Sequence, residues 1–255
     1  MERQFAVRFP CAASALDLDE EYFTVVQEQQ ERKLRLHDYH EVFAIPGLYE
    51  FVYCEMLKGV SHKKVSALLL EEVARKGCAP SELRVLDLGA GNGLAGEILV
   101  EGGVASVVGL DIIAEAREAA LRDRPDIYDE YYVEDVLNLA AATREKLEKR
   151  GINCLVCMSA LGFGDVSSAA LRAAFNLISD GGWVAFNIEE RFNEPGSGSG
   201  FHQLIHRAEK SGALDVRVRE RYCHRISMAG CPIYYVAVVG LKRSDISAED
   251  KIVAA

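Results

Sequence analysis

The chain has 255 residues and a mass of 28.1 kDa, with 49% hydrophobic and 27% charged residues and a mean hydropathy of +0.01. These proportions exclude a disordered, collagen-like or fibrous chain and suit one large α/β domain with an added segment. A net charge of −10, from 39 acidic and 29 basic residues, disfavours a direct grip on nucleic acid phosphates.

Met1 to Pro10 lacks the apolar core of a signal peptide, and no apolar run is long enough to span a bilayer. Residues 1–80 read as a helical N-terminal cap. Glu20 to Leu36 is rich in Glu, Gln, Lys, Arg and Leu, as a solvent-exposed helix would be. Pro46-Gly47 breaks the chain, and Leu48 to Leu57 reads as a second, short helix. Ser61 is a candidate N-cap for a third over Lys63 to Lys76, which Gly77 would end. No strand is evident in this segment.

From Arg84 strands and helices alternate. Strands are expected over Arg84–Leu88, Ser106–Leu110, Glu130–Val133, Asn153–Met158 and Gly182–Ile188. Helices fall between them, over Leu94–Glu101, Ile113–Leu121, Ala141–Lys149 and Ser168–Ile178. Short, nearly continuous apolar strands separated by helices imply a parallel sheet covered on both faces. A glycine-serine loop (Glu194 to Gly200) precedes a helix over Phe201–Lys210. Strands over Leu214–Arg221 and Ile233–Leu241 have no room for a helix between them and should form an antiparallel hairpin. The domain therefore spans 81–243, and 244–255 reads as a loose polar tail.

Seven cysteines at irregular spacing suggest a reducing cytoplasm rather than a disulfide framework. Cys154 and Cys157 form a CxxC, but on a strand such residues point to opposite faces and no second pair follows. Buried structural cysteines are the expected reading, with no metal site. Cys223, His224 and Cys231 should flank the hairpin.

The most informative stretch is Val85-Leu-Asp-Leu-Gly-Ala-Gly-Asn-Gly-Leu-Ala-Gly96, a strand entering a glycine-dense turn that opens a helix. Such a turn permits positive φ and close ligand approach, and the helix N-terminus offers free N–H groups. Gly91 to Gly96 satisfies GxGxxG and Asp111 follows Gly91 by 20 residues, the dinucleotide fingerprint. Yet Asp87 ends the strand and Gly89-Ala90-Gly91 intervene. A carboxylate there faces a pyrophosphate unfavourably, whereas it can accept hydrogen bonds from a ligand ammonium.

Asp87-Leu-Gly-Ala-Gly-Asn-Gly93 resembles the first motif of class I S-adenosylmethionine-dependent methyltransferases, and the resemblance extends over roughly Arg84 to Leu241, closing hairpin included. It implies a Rossmann-like fold with S-adenosylmethionine as cofactor. By that resemblance the loop residues Gly89, Ala90, Gly91 and Gly93 wrap the methionine part of the donor, whose amino group Asp87 would meet. Asp111, in Gly109-Leu-Asp111, would bind the ribose hydroxyls with Ile112 beside the adenine. In Tyr132-Val-Glu-Asp135-Val136, Asp135 is preferred over Glu134 for the adenine amino group, with Val136 adjacent. Met158, at the end of the fourth strand, would lie near the donor. Any one of these acids could instead be a solvated turn residue; three at successive strand ends are hard to reach by chance.

The methyl acceptor is less legible. Neither an Asn/Asp-Pro-Pro-Tyr motif nor a Pro-Cys pair follows the fourth strand, which points away from amino methylation of adenine or glutamine and from cytosine C5 methylation. A small-molecule acceptor is therefore expected, with no nucleic acid or membrane partner and with a homodimer left open. An oxidoreductase using NAD, a non-catalytic methyltransferase-like subunit and a protein methyltransferase remain as alternatives. Candidate lid residues are Tyr39 and Tyr49; candidate bases are His37 and His40, since histidine titrates near neutrality. A second cluster joins Glu189 and Arg191 to His202: Arg191 could clamp an anion, and Glu189 or His202 could take a proton. Core anchoring, capping and surface ion pairing are the plain alternatives for each of these side chains.

Overall fold

A computed structural model describes residues 4–11 and 16–247. The N-terminal segment opens with a three-stranded antiparallel sheet: β1 (Ala6–Arg8), β2 (Tyr22–Gln27) and β3 (Gln30–Arg35), in that order. The helix expected over Glu20–Leu36 is thus a hairpin. Phe23 and Val25 alternate inward on β2, and Leu34 answers from β3. Glu28 and Gln29 both take positive φ, 47° and 65°, the geometry of a two-residue turn matched to strand twist. The rest of the segment is helical: α1 (Tyr39–Ala44), a π-helix over Glu50–Met56 in place of the second expected helix, and α2 (Ser61–Arg75). The N-cap of α2 is Val60 rather than Ser61, whose hydroxyl instead enters a buried network. The cap has its own core, in which Phe23, Leu36, Leu48, Val52 and Leu57 are fully buried.

The main sheet contains β4 (Arg84–Leu88), β5 (Ser106–Asp111), β6 (Glu130–Val133), β7 (Cys154–Leu161), β8 (Trp183–Glu189), β9 (Leu214–Ile226) and β10 (Pro232–Lys242). Their order is β6-β5-β4-β7-β8-β10-β9, parallel through β8, with β10 antiparallel to both β8 and β9. Strand order reverses between β4 and β7, where open α/β sheets bind ligands. Helices α3 (Leu94–Glu101), α4 (Ala114–Asp123), α5 (Ala141–Arg150), α6 (Ser168–Leu177) and α7 (Phe201–Lys210) complete the connections. Two apolar clusters form the core on opposite faces of the sheet; Cys154 belongs to one and Cys157 to the other, as strand alternation requires. All seven cysteines are unpaired. Cys223 and His224 lie within β9, which runs five residues beyond its expected end.

Several contacts hold the cap to this domain. Glu21 and Arg225 form an ion pair at 2.9 Å with both side chains almost fully buried, and Glu21 also accepts the Met228 N–H at 2.6 Å. Further along, α1 packs on α4, where Phe43 meets Ala116 and Ala119. The expected loose tail is docked over its described part: Ile246 is buried, and its N–H and carbonyl both bond the Asn176 side chain, at 2.9 and 3.0 Å. Residues 248–255 lie outside the described residues. No helix among the described residues is long and apolar enough to cross a membrane.

Candidate active site

A cleft of about 720 Å³ opens over the carboxyl ends of β4, β5, β6 and β7, roofed by α1 and the chain around Tyr49. That volume accommodates a sizeable small ligand. The floor begins at the turn after β4. Gly89 sits at φ +70°, and a Cβ there would lie 2.8 Å from Ala160 Cβ, so only glycine fits. Gly91, at φ +54°, supports Phe43 of the roof, whose ring would be 3.2 Å from an added Cβ.

Asp87 is 1% exposed and accepts a hydrogen bond from Tyr128 Oη at 2.8 Å. Burial raises its carboxyl to about 7; the Tyr128 bond opposes the rise and the Asp111 charge adds to it. The Asp111 carboxylate accepts the Gly91 N–H at 2.9 Å and the Ile113 N–H at 3.0 Å, which fixes its orientation at the end of β5. Desolvation raises Asp111 also, against those backbone bonds. Glu134 and Asp135 divide the work after β6. Glu134 binds the Ala140 N–H and Thr143 hydroxyl, while Asp135 caps the following turn through Leu137 N–H at 2.9 Å and stays exposed on the cleft wall.

Of the sequence-predicted site residues, the cleft brings together Asp87, Gly89, Ala90, Gly91, Asp111, Ile112, Asp135, Val136 and Met158 with His37, Tyr39, His40 and Tyr49. Four lie elsewhere. Gly93 points away from the cleft, toward Tyr128 and Arg124. Glu189 is buried and paired to Arg191 at 2.8 Å; Arg191 stacks over Phe163 and Phe192 rather than facing a ligand. The Nδ1 of His202 lies 2.9 Å from the Asn193 carbonyl, outside the wall.

Several wall residues carry no sequence signature. Tyr131 Oη donates to the Gly91 carbonyl at 2.8 Å, bracing the turn from behind as Tyr128 does. Asn92 Nδ2 donates to Glu50 at 3.1 Å, and Arg124 joins the same carboxylate at 2.8 Å, so the cap is bonded to the glycine turn itself. Across the cleft, Ser159 near the end of β7 and Phe163 in the loop that follows take φ 59° and 52°, a strained course for side-chain-bearing residues. Asn187 Oδ1 holds it by accepting the Ser159 N–H at 2.7 Å. On that loop Asp165 faces His37, Oδ2 to Nδ1 3.6 Å, and Phe163 stacks on the imidazole at 4.6 Å.

The sheet order, closing hairpin and cleft define a class I methyltransferase fold. The sequence profile of the methyltransferase domain family matches residues 60–225, and the chain belongs to that family. It is an S-adenosylmethionine-dependent enzyme. Among solved structures, an S-adenosylmethionine-dependent methyltransferase from Clostridium acetobutylicum has the same fold, at 13% identity and TM-score 0.54, covering 77% of this chain and 98% of the other. A protein of Pyrococcus horikoshii described as a candidate RNA methyltransferase aligns at 16% identity and TM-score 0.51, over 71% of this chain and 85% of its own. The N-methyltransferase NodS from Bradyrhizobium japonicum aligns at 15% identity and TM-score 0.47, over 71% and 98%. No curated protein matches the chain.

Proposed function

We propose that the chain methylates a small molecule in the cytoplasm, and that the roofed cleft holds donor and acceptor together. The residues fit the donor. A buried carboxyl at Asp87 suits its ammonium, which would complete a charge pair in low dielectric. The turn of Gly89, Ala90 and Gly91 would lie against the methionine part, and Gly93 shapes that turn without touching the donor. Asp111, already oriented by two backbone bonds, retains acceptor capacity for the ribose hydroxyls. Ile112, 64% exposed on the wall, offers an apolar face to the adenine, with Asp135 for its amino group and Val136 and Met158 beneath. When bound, the donor supplies an electrophilic methyl carbon. The protein's part is to align a nucleophile with that carbon and exclude water.

The observation that carries a small acceptor is the roof: Tyr39, Phe43 and Tyr49 cover the cleft that a polymer would need open. Of the proposed bases, His37 stands innermost, at 11% side-chain exposure, and His40 lies on the exposed rim. Glu189, Arg191 and His202 shape the neighbouring loops. The test supplies methyl-labelled donor with separated small-molecule, protein and RNA fractions of a cell extract. Label entering the small-molecule fraction alone is expected; label in protein or RNA refutes the reading.

A further inference from the structure

Among the described residues, the cleft wall carries five acids and no lysine or arginine. Four of the acids (Asp87, Asp111, Glu134 and Asp135) lie on the donor side in the reading above, on which this inference rests. The fifth, Asp165, stands apart on the strained loop after β7. Among the described residues, the basic side chain within 4 Å of its carboxylate is His37, with Nδ1 at 3.6 Å, beyond good hydrogen-bond length. Tyr39 and Tyr49 line the cleft with Asp165 and both stack on Tyr53 behind them, Tyr49 at 4.4 Å and Tyr39 at 6.1 Å, while Phe163 on the same loop stacks on His37 at 4.6 Å. On the other side His37 keeps Nε2 buried and without a hydrogen-bond partner.

An anionic acceptor entering the cleft would meet carboxylates and, among the lining residues, no lysine or arginine. A protonated amine would meet a carboxylate and aromatic faces, the two groups that recognise ammonium in a partly desolvated site. We propose that the acceptor is a small cationic amine, held by Asp165, and that His37 receives its proton. In the transfer, R–NH3+ gives one proton to His37. The freed nitrogen lone pair forms the N–CH3 bond as the carbon–sulfur bond breaks, its electron pair going to sulfur. R–NH2–CH3+ leaves, and His37 returns its proton to solvent, so charge and atoms balance. Asp165 binds substrate and steadies the imidazolium; Tyr39 Oη, 3.2 Å from His37 Nδ1, keeps the ring turned.

The test compares 2-phenylethylamine with 3-phenylpropanoate, probes of similar shape and opposite charge. Both are titrated calorimetrically into wild-type protein saturated with S-adenosylhomocysteine, and methylation is followed by mass spectrometry in separate reactions supplied with S-adenosylmethionine. The amine is expected to bind at least tenfold more tightly than the acid and to acquire a methyl group on nitrogen. Asp165→Asn should weaken amine binding at least tenfold while S-adenosylhomocysteine affinity changes less than twofold. Equal or tighter binding of the acid, no binding or methylation of the amine, or unchanged amine affinity in the variant would each overturn the proposal. The wild-type comparison stands even where the variant fails to fold. Failure of S-adenosylhomocysteine to bind the wild type is separate, and refutes the donor site instead.

Discussion

Asp87 offers the sharpest test of the donor site, because its burial makes donor affinity a function of pH. A carboxyl moved from 3.8 to about 7 by burial resists ionisation by roughly 4 kcal/mol. The unfolded chain ionises it near pH 4 and the folded chain near 7. The stability that protonated Asp87 contributes is therefore complete below about pH 4 and lost as pH rises toward about 7. An ammonium needs the ionised form, so apparent donor affinity scales with the ionised fraction. That fraction is about one half at pH 7 and about one tenth at pH 6. S-adenosylhomocysteine, which carries the same ammonium, should bind with a Kd that rises toward tenfold per unit as pH falls from 7 to 5.5. At pH 7 binding should release roughly half a proton, measurable by repeating the titration in buffers of different ionisation enthalpy. Asp87→Asn keeps an acceptor for Tyr128 but cannot ionise. It should unfold at higher urea than wild type at pH 8, lose tenfold or more in affinity, and bind with no proton release. A flat pH profile in wild type, or an Asn variant of undiminished affinity, would refute the assignment of Asp87 to the ammonium.

Three further outcomes are expected. Asp111→Ala should weaken S-adenosylhomocysteine by on the order of 1.5–3 kcal/mol, the worth of hydrogen bonds to a charged group, as read by calorimetry. Arg225→Met leaves Glu21 charged and buried, so urea unfolding should show a loss of about 3–5 kcal/mol; adding Glu21→Leu should recover most of it. Phe43→Ala removes the ring seated on Gly91 and should raise the donor dissociation rate in stopped-flow experiments more than it lowers the association rate.

The main sheet was legible because its central strands β4, β5, β7 and β8 are largely apolar runs bounded by turn residues, and nearly every expected boundary lies within a few residues of the observed one. The proposed donor residues came from the resemblance of the glycine turn and lie close together in sequence order: Asp87 is next to last in β4, Asp111 ends β5 and Asp135 follows β6 by two residues. The N-terminal hairpin was not legible, for a physical reason. Its two-residue turn places Glu28 and Gln29 in left-handed geometry that Asn and Gly favour, so the usual signal is missing. β3 buries only Leu34, leaving a charged sequence that reads as an exposed helix until Phe23 and Val25 are paired to it. The acceptor side depends on contacts across the chain. Asp165 meets His37 across a sequence separation of 128, and only the folded loop after β7 brings them together. Glu189 and Arg191 were adjacent to the right strand end, but pair with one another there, through Glu189 Oε1, rather than facing the cleft.

Phe43 rests on the glycine turn while His37, a few residues earlier, stands against Asp165 on the far wall. One rigid segment thus touches both halves of the cleft, and Glu50 ties its lower end to Asn92 and Arg124. A substitution that shifts this segment should therefore disturb the glycine-turn side and the Asp165 side of the cleft together.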